Sequence, residues 1–583
     1  MLQIITKKFF VTDNLYTTKH RGVLYSNYQA TMLPTISTVV GDLTPTSTRD
    51  NVAIFIYEVE ESLEAVRPDG SKEFLLAVGL GSFLEDFAAV TSFALNITCT
   101  PNIDLVRRLT QSNRPALGSP KLPKEYVKRV FDNEINWAET DAAQLQTFVN
   151  NLVGLERKNF KSVMRAIHRY VNGLHRIADD PNLAYSLLVA SIESLAQGFT
   201  DFELTWDDYA QDKKQEFDKV LATAPAEIVQ GIHNVILKHE HIALRRRYQE
   251  FVLKHLDAAF FRADAQLETS PIRHCDIPAA LENAYKSRSS YVHMLLELPG
   301  VLIVAPSYND VVMIENKPMF SFHGLARIVS HVIRHVVTHS PKVEREIFDY
   351  RIDLPNVIHV SLADKYWIWQ DSNYNQNTAR GYLNGFLRQL TSLWSDVASA
   401  ELTDIRPIMT KIESLIPGLA KPEQRLPLLL LYLLFHQHTQ TKYHQLNWEI
   451  FIEKYSEDFN HPSYESLLAH LLTGNSHDWP LEQHKDIYQK YLKQRYNKNG
   501  LQCGALFETG LTLSLAEAYR QTGDEVNARA LVKEAVESLP NHRELLLYET
   551  TLSSPTQPIK WEEILFPPQS AEPTEEVVET KPA

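Results

Sequence analysis

Apolar residues recur along this chain with two different periods. Residues 1–125 carry short apolar runs bounded by turn residues, the pattern of a β-rich domain. Residues 52–59 are dense in β-branched and aromatic side chains, Arg67-Pro68-Asp69-Gly70-Ser71 is turn chemistry, and residues 74–80 and 93–99 are predicted to return as further strands. Gly79-Leu80-Gly81 lacks the lysine and third glycine of a phosphate loop and reads as a turn. From about residue 155 the spacing becomes helical. Phe160, Val163, Ile167, Tyr170, Val171 and Leu174 form one stripe, and Leu187, Leu188, Ile192, Leu195 and Phe199 form a second.

A third helix is predicted over residues 276–299. Asp276 is placed to cap its first free N–H groups, Pro278 is tolerated in a first turn, and Pro299-Gly300 ends it. Leu281, Tyr285, Arg288, Val292 and Leu295 fall on one face, which sets a guanidinium on an apolar stripe. An arginine in that position is either paired or awaits an anion. Residues 301–305 and 311–314 then flank Ser307-Tyr308-Asn309-Asp310 as a predicted β-hairpin, and a helix bearing His331, His335 and His339 follows. Histidines four apart share a face, but Val332, Ile333 and Arg334 separate the first two and no acid stands between them. Metal ligands are therefore expected to be none, and the histidines are expected to pack.

From residue 345 to 552 the chain reads as helical and rich in aromatics, with Tyr366, Trp367 and Trp369 among them. Its longest apolar run, residues 426–435, contains Pro427 and is far shorter than the roughly 20 residues a membrane span needs. In type and spacing, Ala516, Tyr519, Gly523, Ala528, Ala535 and Pro540 resemble the small, aromatic and helix-ending positions of one tetratricopeptide repeat over 509–542. The resemblance implies degenerate helical pairs stacked upstream and a protein partner at the repeats. Residues 553–583 are proline-rich and acidic, the composition of a disordered tail. Within it, Trp561-Glu562-Glu563-Ile564-Leu565-Phe566 is either a docking motif or a segment that folds back on the helices.

Length and charge narrow the picture. A chain of 583 residues exceeds one hydrophobic core, so the expected class is multidomain α+β, mainly α. The predicted parts are a β-rich N-terminal domain over 1–125, a helical bundle over 155–340, C-terminal helical repeats over 345–552 and the tail. A net charge of −14 excludes a large basic surface, so any nucleic-acid contact is local and salt-sensitive. Three scattered cysteines fit a reducing compartment, and the N-terminus has no charged segment leading into a long apolar run. A cytoplasmic protein with no membrane partner and no cofactor is expected.

Three arginines are followed by a histidine with four to six residues between: Arg169/His175, Arg288/His293 and Arg334/His339. The second stands apart because Tyr285 precedes it, Ser289 follows the arginine directly, and an earlier helix carries Ser191-Ile192-Glu193-Ser194-Leu195. This arrangement resembles the signature of HEPN domains, helical nucleotide-binding and ribonuclease domains found in many bacterial defence and toxin proteins, over roughly 155–340. The resemblance implies metal-independent RNA cleavage, plausible in antiphage defence or a stress response, by Arg288 and His293 with Ser289 and Glu193 in support. A histidine moves protons near neutral pH, and an arginine supplies a fixed forked charge for the phosphoryl oxygens.

Residues five apart on a helix point about 140° apart, so Arg288 and His293 do not simply face each other. Either the long arginine curls round, or two copies form a composite site, and the family resemblance implies the homodimer. Glu193 either orients Arg288 or is a solvated glutamate beside the core stripe. Arg245, Arg246 and Arg247 either hold an RNA backbone or form a solvated helix face, and Tyr291 either stacks on a base or packs. The reading from a different class is a non-catalytic interaction scaffold or sensor built on an inactive domain of this type.

Overall fold

The computed structural model describes residues 1–29, 34–65, 78–116, 120–199, 206, 211–239, 244–355, 357–358, 360–395, 397, 400–552 and 557–567. The chain divides into two compact units, Met1–Ile358 and His359–Ala583. It is mainly helical, with an N-terminal antiparallel sheet of five strands.

The sheet follows from alternation. Val52–Glu64 places Val52, Phe55, Tyr57 and Val59 in the core and pairs along its length with Leu15–Ser26. The strand order is Ile36–Thr38, Gly41–Arg49, Val52–Glu64, Leu15–Ser26, Cys99–Thr100. Gly41 is required at the turn into its strand: its φ is 129°, and a Cβ there would lie 2.6 Å from both the Tyr57 ring and the Glu58 carbonyl. The predicted strand over 93–99 is corrected, because Phe93 lies inside the helix Leu80–Leu95 and only Cys99–Thr100 pairs into the sheet. Short apolar runs look alike as buried helix or buried strand, and here the neighbouring helices decided. Leu80 opens that helix, while residues 74–77 of the other expected strand lie outside the described residues.

The same hydrophobic core runs from the sheet through the helical region, from Leu24 to Val337. Arg157–Arg176 and Pro181–Phe199 form a helical hairpin whose close approach falls at Gly173, against Leu187 and Leu188. Pro181–Phe199 is the hub: Leu188, Val189, Ile192 and Leu195 are fully buried, and the helices Leu244–Lys254, Ile277–Met294 and Phe322–His339 all pack on it.

Two expectations around the third helix change. It ends at Met294, not at Pro299: Leu295 turns left-handed at φ 54°, and the N–H groups of Leu295 and Leu296 close back on the carbonyls of Tyr291 and Ser290. Asp276 sits at its start without capping it, because its carboxylate is engaged by Arg273. The hairpin also shifts by one run. Residues 301–304 lie in the short helix Gly300–Val304, and Val311–Ile314 pairs instead with Lys317–Phe320. Its two-residue turn, Glu315-Asn316, has positive φ at both positions, the twist that tight hairpins favour.

In the second unit, Pro422–His438 is buried on every side over residues 426–435, as an apolar run without a polar face must be. Among the described residues no helix is long and apolar enough to cross a membrane. Ala505–Gln521 and Glu525–Ser538 form a helical pair joined through Gly523 at φ 83°, with Ala516, Ala528 and Ala535 fully buried. Part of the segment read as a tail, residues 557–567, lies within the described residues. Trp561–Leu565 is a short helix folded back on this unit, its indole on Trp394 and Phe507. Gly510 leaves the room it occupies: a Cβ there would meet the Trp561 ring at 2.8 Å. Residues 568–583 lie outside the described residues.

Candidate functional site

The hub helix carries Glu193 into the protein, where its residue is 7% exposed. Arg288, reaching across from Ile277–Met294, brings Nη2 to 3.0 Å from Glu193 Oε2. Tyr285, one turn earlier, is half-buried beside it, and burial followed by the Glu193 charge raises that phenol's pKa. Tyr248 from Leu244–Lys254 completes the wall. Its hydroxyl is fully buried with no hydrogen-bond partner among the described residues, and burial lifts its pKa well above the usual phenol value.

Arg169, from the first helix of the hairpin, also feels the Glu193 charge. Glu193 thus pairs with one guanidinium and offsets part of the burial penalty of a second. A half-exposed arginine on a buried carboxylate is worth more than a surface pair, because the acid has little water to fall back on. Arg288 stays 22% exposed, so part of its fork still faces solvent.

His293 is not drawn into this group. It stands exposed in the last turn of Ile277–Met294, and among the described residues nothing hydrogen-bonds its ring. Ser289 is half-buried directly after Arg288. Around His293 the surface is apolar: Val292 is 49% exposed, Leu295 76% and Leu296 54%. Along the stripe Leu281 is buried, Tyr285 and Arg288 are partly covered, and Val292 and Leu295 are exposed.

Tyr291 packs at the junction instead of standing free, its hydroxyl 3.2 Å from Asp180 Oδ2 at the start of the hub helix. In the arginine triplet, Arg245 pairs with Glu282 at 3.1 Å and Arg246 with Glu250 at 2.6 Å, while Arg247 is half-buried. Carboxylates thus neutralise the two outward guanidiniums. In the histidine row, His331 Nδ1 lies 2.7 Å from Asp264 and the His335 ring stacks on His339 at 4.1 Å.

One cluster was not singled out from the sequence. A cavity of about 400 Å³ is lined by Arg108, Arg169, Asn172, His175, Arg176 and Asp179, together with Leu105 and Leu187. Burial, then Arg108 and Arg176, push the His175 imidazole down to about 4. The Arg169/His175 spacing was visible in the sequence. Arg108, contributed by Ile103–Thr110, was not, because no local pattern links it to that helix. Compared with known proteins, the chain matches no family model, no curated protein and no solved structure.

Proposed function

We propose that the protein is a metal-independent endoribonuclease of HEPN type, acting as a homodimer through the region around His293. The observation that carries the reading is the Arg288–Glu193 pair, with His293 exposed in the last turn of the helix that carries Arg288. Glu193 holds one edge of the guanidinium and leaves the solvent-facing part for a phosphoryl oxygen. His293 is open to a substrate, and the bare Val292, Leu295 and Leu296 beside it offer a face for a second copy. In the reaction the RNA 2′-oxygen bonds to phosphorus as its proton leaves to a base, and the P–O5′ bond breaks with a proton delivered to the leaving oxygen. The products are a 2′,3′-cyclic phosphate and a 5′-hydroxyl.

The same bare apolar residues favour a second reading, an interaction scaffold that uses this face for another protein and cleaves nothing. Mixed RNA incubated with the full chain in excess chelator separates the two. The ribonuclease reading expects cyclic phosphate ends from the parent, and loss of at least about 100-fold in rate for Arg288→Ala and for His293→Ala. Cleavage that survives His293→Ala undiminished would remove the residue from the mechanism, and no cleavage by the parent favours the scaffold.

A further inference from the structure

The helix Arg157–Arg176 treats its buried cations unequally. Arg157, near its start, is held by Asp353 at 3.0 and 3.1 Å. Arg169, three turns on and half-buried, makes no hydrogen bond or ion pair among the described residues, and its Nη1 is shut off from water. Burial and the nearby Arg165 both oppose its charge, and the one carboxylate that offsets them, Glu193, is already bonded by Arg288. An unpaired guanidinium with one nitrogen buried is costly, and its other nitrogens, which are not shut off, are open to an oxygen anion.

Arg169 lines the 400 Å³ cavity. Arg108 is aimed by a two-pronged bond to Asp179, at 2.7 and 3.0 Å, and Arg176 approaches the same carboxylate at 3.8 Å. Three arginines face one acid, and Asn172, exposed on the same helix, adds an unengaged amide. Arg108 and Arg176 share Asp179, and Arg169 is the one of the three with no partner among the described residues.

We propose that this cavity binds a phosphate group, with Arg169 as its principal ligand and Asn172 and Arg108 at its rim. The inference stands apart from the ribonuclease reading, since neither Arg288 nor His293 lines the cavity. Phosphate supplies several acceptor oxygens on one centre, which the fork of an arginine accepts in pairs.

The test is thermal unfolding of the full chain in inorganic phosphate, against chloride of equal ionic strength. The parent shows a saturable rise in Tm at low millimolar phosphate. Arg169→Met removes a buried, unpaired cation, so its Tm without phosphate equals or exceeds the parent's, and the phosphate-dependent rise disappears. A merely structural arginine would instead lower Tm on removal and leave the phosphate response intact, which overturns the proposal. Asn172→Asp keeps the question answerable if Arg169→Met does not fold: at an exposed helix position it places a carboxylate three residues from Arg169, and it is expected to raise Tm and abolish the response. A retained response in Asn172→Asp, or no saturable rise in the parent, refutes the site. Uridine dinucleotide with and without a 5′ phosphate assigns the source, since selective binding of the phosphorylated form identifies a monoester and equal binding a nucleic-acid backbone.

Discussion

Removing Arg288 strands a carboxylate. Glu193 is 7% exposed and Arg288 is the cation paired with it, so Arg288→Met leaves a buried charge without that counterion. Exposed ion pairs contribute roughly 0–1 kcal/mol. Breaking a fully buried one costs roughly 3–5 kcal/mol. With Arg288 22% exposed the pair falls between these limits, so the expected loss is about 2–3 kcal/mol. Glu193→Leu alone frees a half-exposed guanidinium that water can reach, and should cost about 1 kcal/mol. The double variant removes both charges and should recover about 1–2 kcal/mol over the sum of the singles.

The assay is urea unfolding of the full chain, read on the transition of the Met1–Ile358 unit, as a double-mutant cycle. His293→Ala is the companion measurement. Its side chain is exposed and unbonded, so stability should stay within about 0.5 kcal/mol. An Arg288→Met loss below about 0.5 kcal/mol, or a double variant equal to the sum of the singles, would refute the view that this pair anchors the helix to the hub.

Two further outcomes are expected. Gly510→Ala drives a methyl against the Trp561 ring, so the segment around Trp561–Leu565 should be displaced, at a cost of about 1–3 kcal/mol, and limited proteolysis should cut there faster than in the parent. A parent-like cleavage pattern would disprove the fit. In the same unit, burial pushes His484 down to about 3 and His436 down to about 4, so both stay neutral when folded, while the unfolded chain takes up protons near 6.5. Their contribution is full above pH 6.5 and is lost as pH falls toward those values, at up to about 1.4 kcal/mol per histidine per pH unit. The transition of this unit should weaken between pH 6.5 and 5 and flatten in a His484→Phe variant. An unchanged slope would dismiss the burial argument.

Much of the helical layout was legible locally. The stripes at 160–174 and 187–199 are dense enough that no strand fits them, and both are helices. Where a run was short, periodicity failed. Residues 301–304 and Phe93 read as strand because a few apolar residues carry no period, and the packing of neighbouring elements settled them as helix. The hairpin turn was missed because Glu315-Asn316 lacks the glycine that announces such turns. Leu295 ended its helix early by a left-handed residue that sequence does not signal, whereas Pro299 does.

The candidate site divides in the same way. Tyr285, Arg288, Ser289 and His293 are neighbours on one helix, so their grouping is a property of the sequence alone. The partners of Arg288, the neutralisation of Arg245 and Arg246, and the isolation of Arg169 depend on where distant helices come to rest. The sequence by itself determined which faces must be buried, because hydrophobic period acts over a few residues. Only the tertiary structure decided which charges found partners, because a buried charge is balanced by whatever group the packing of the core brings within about 4 Å.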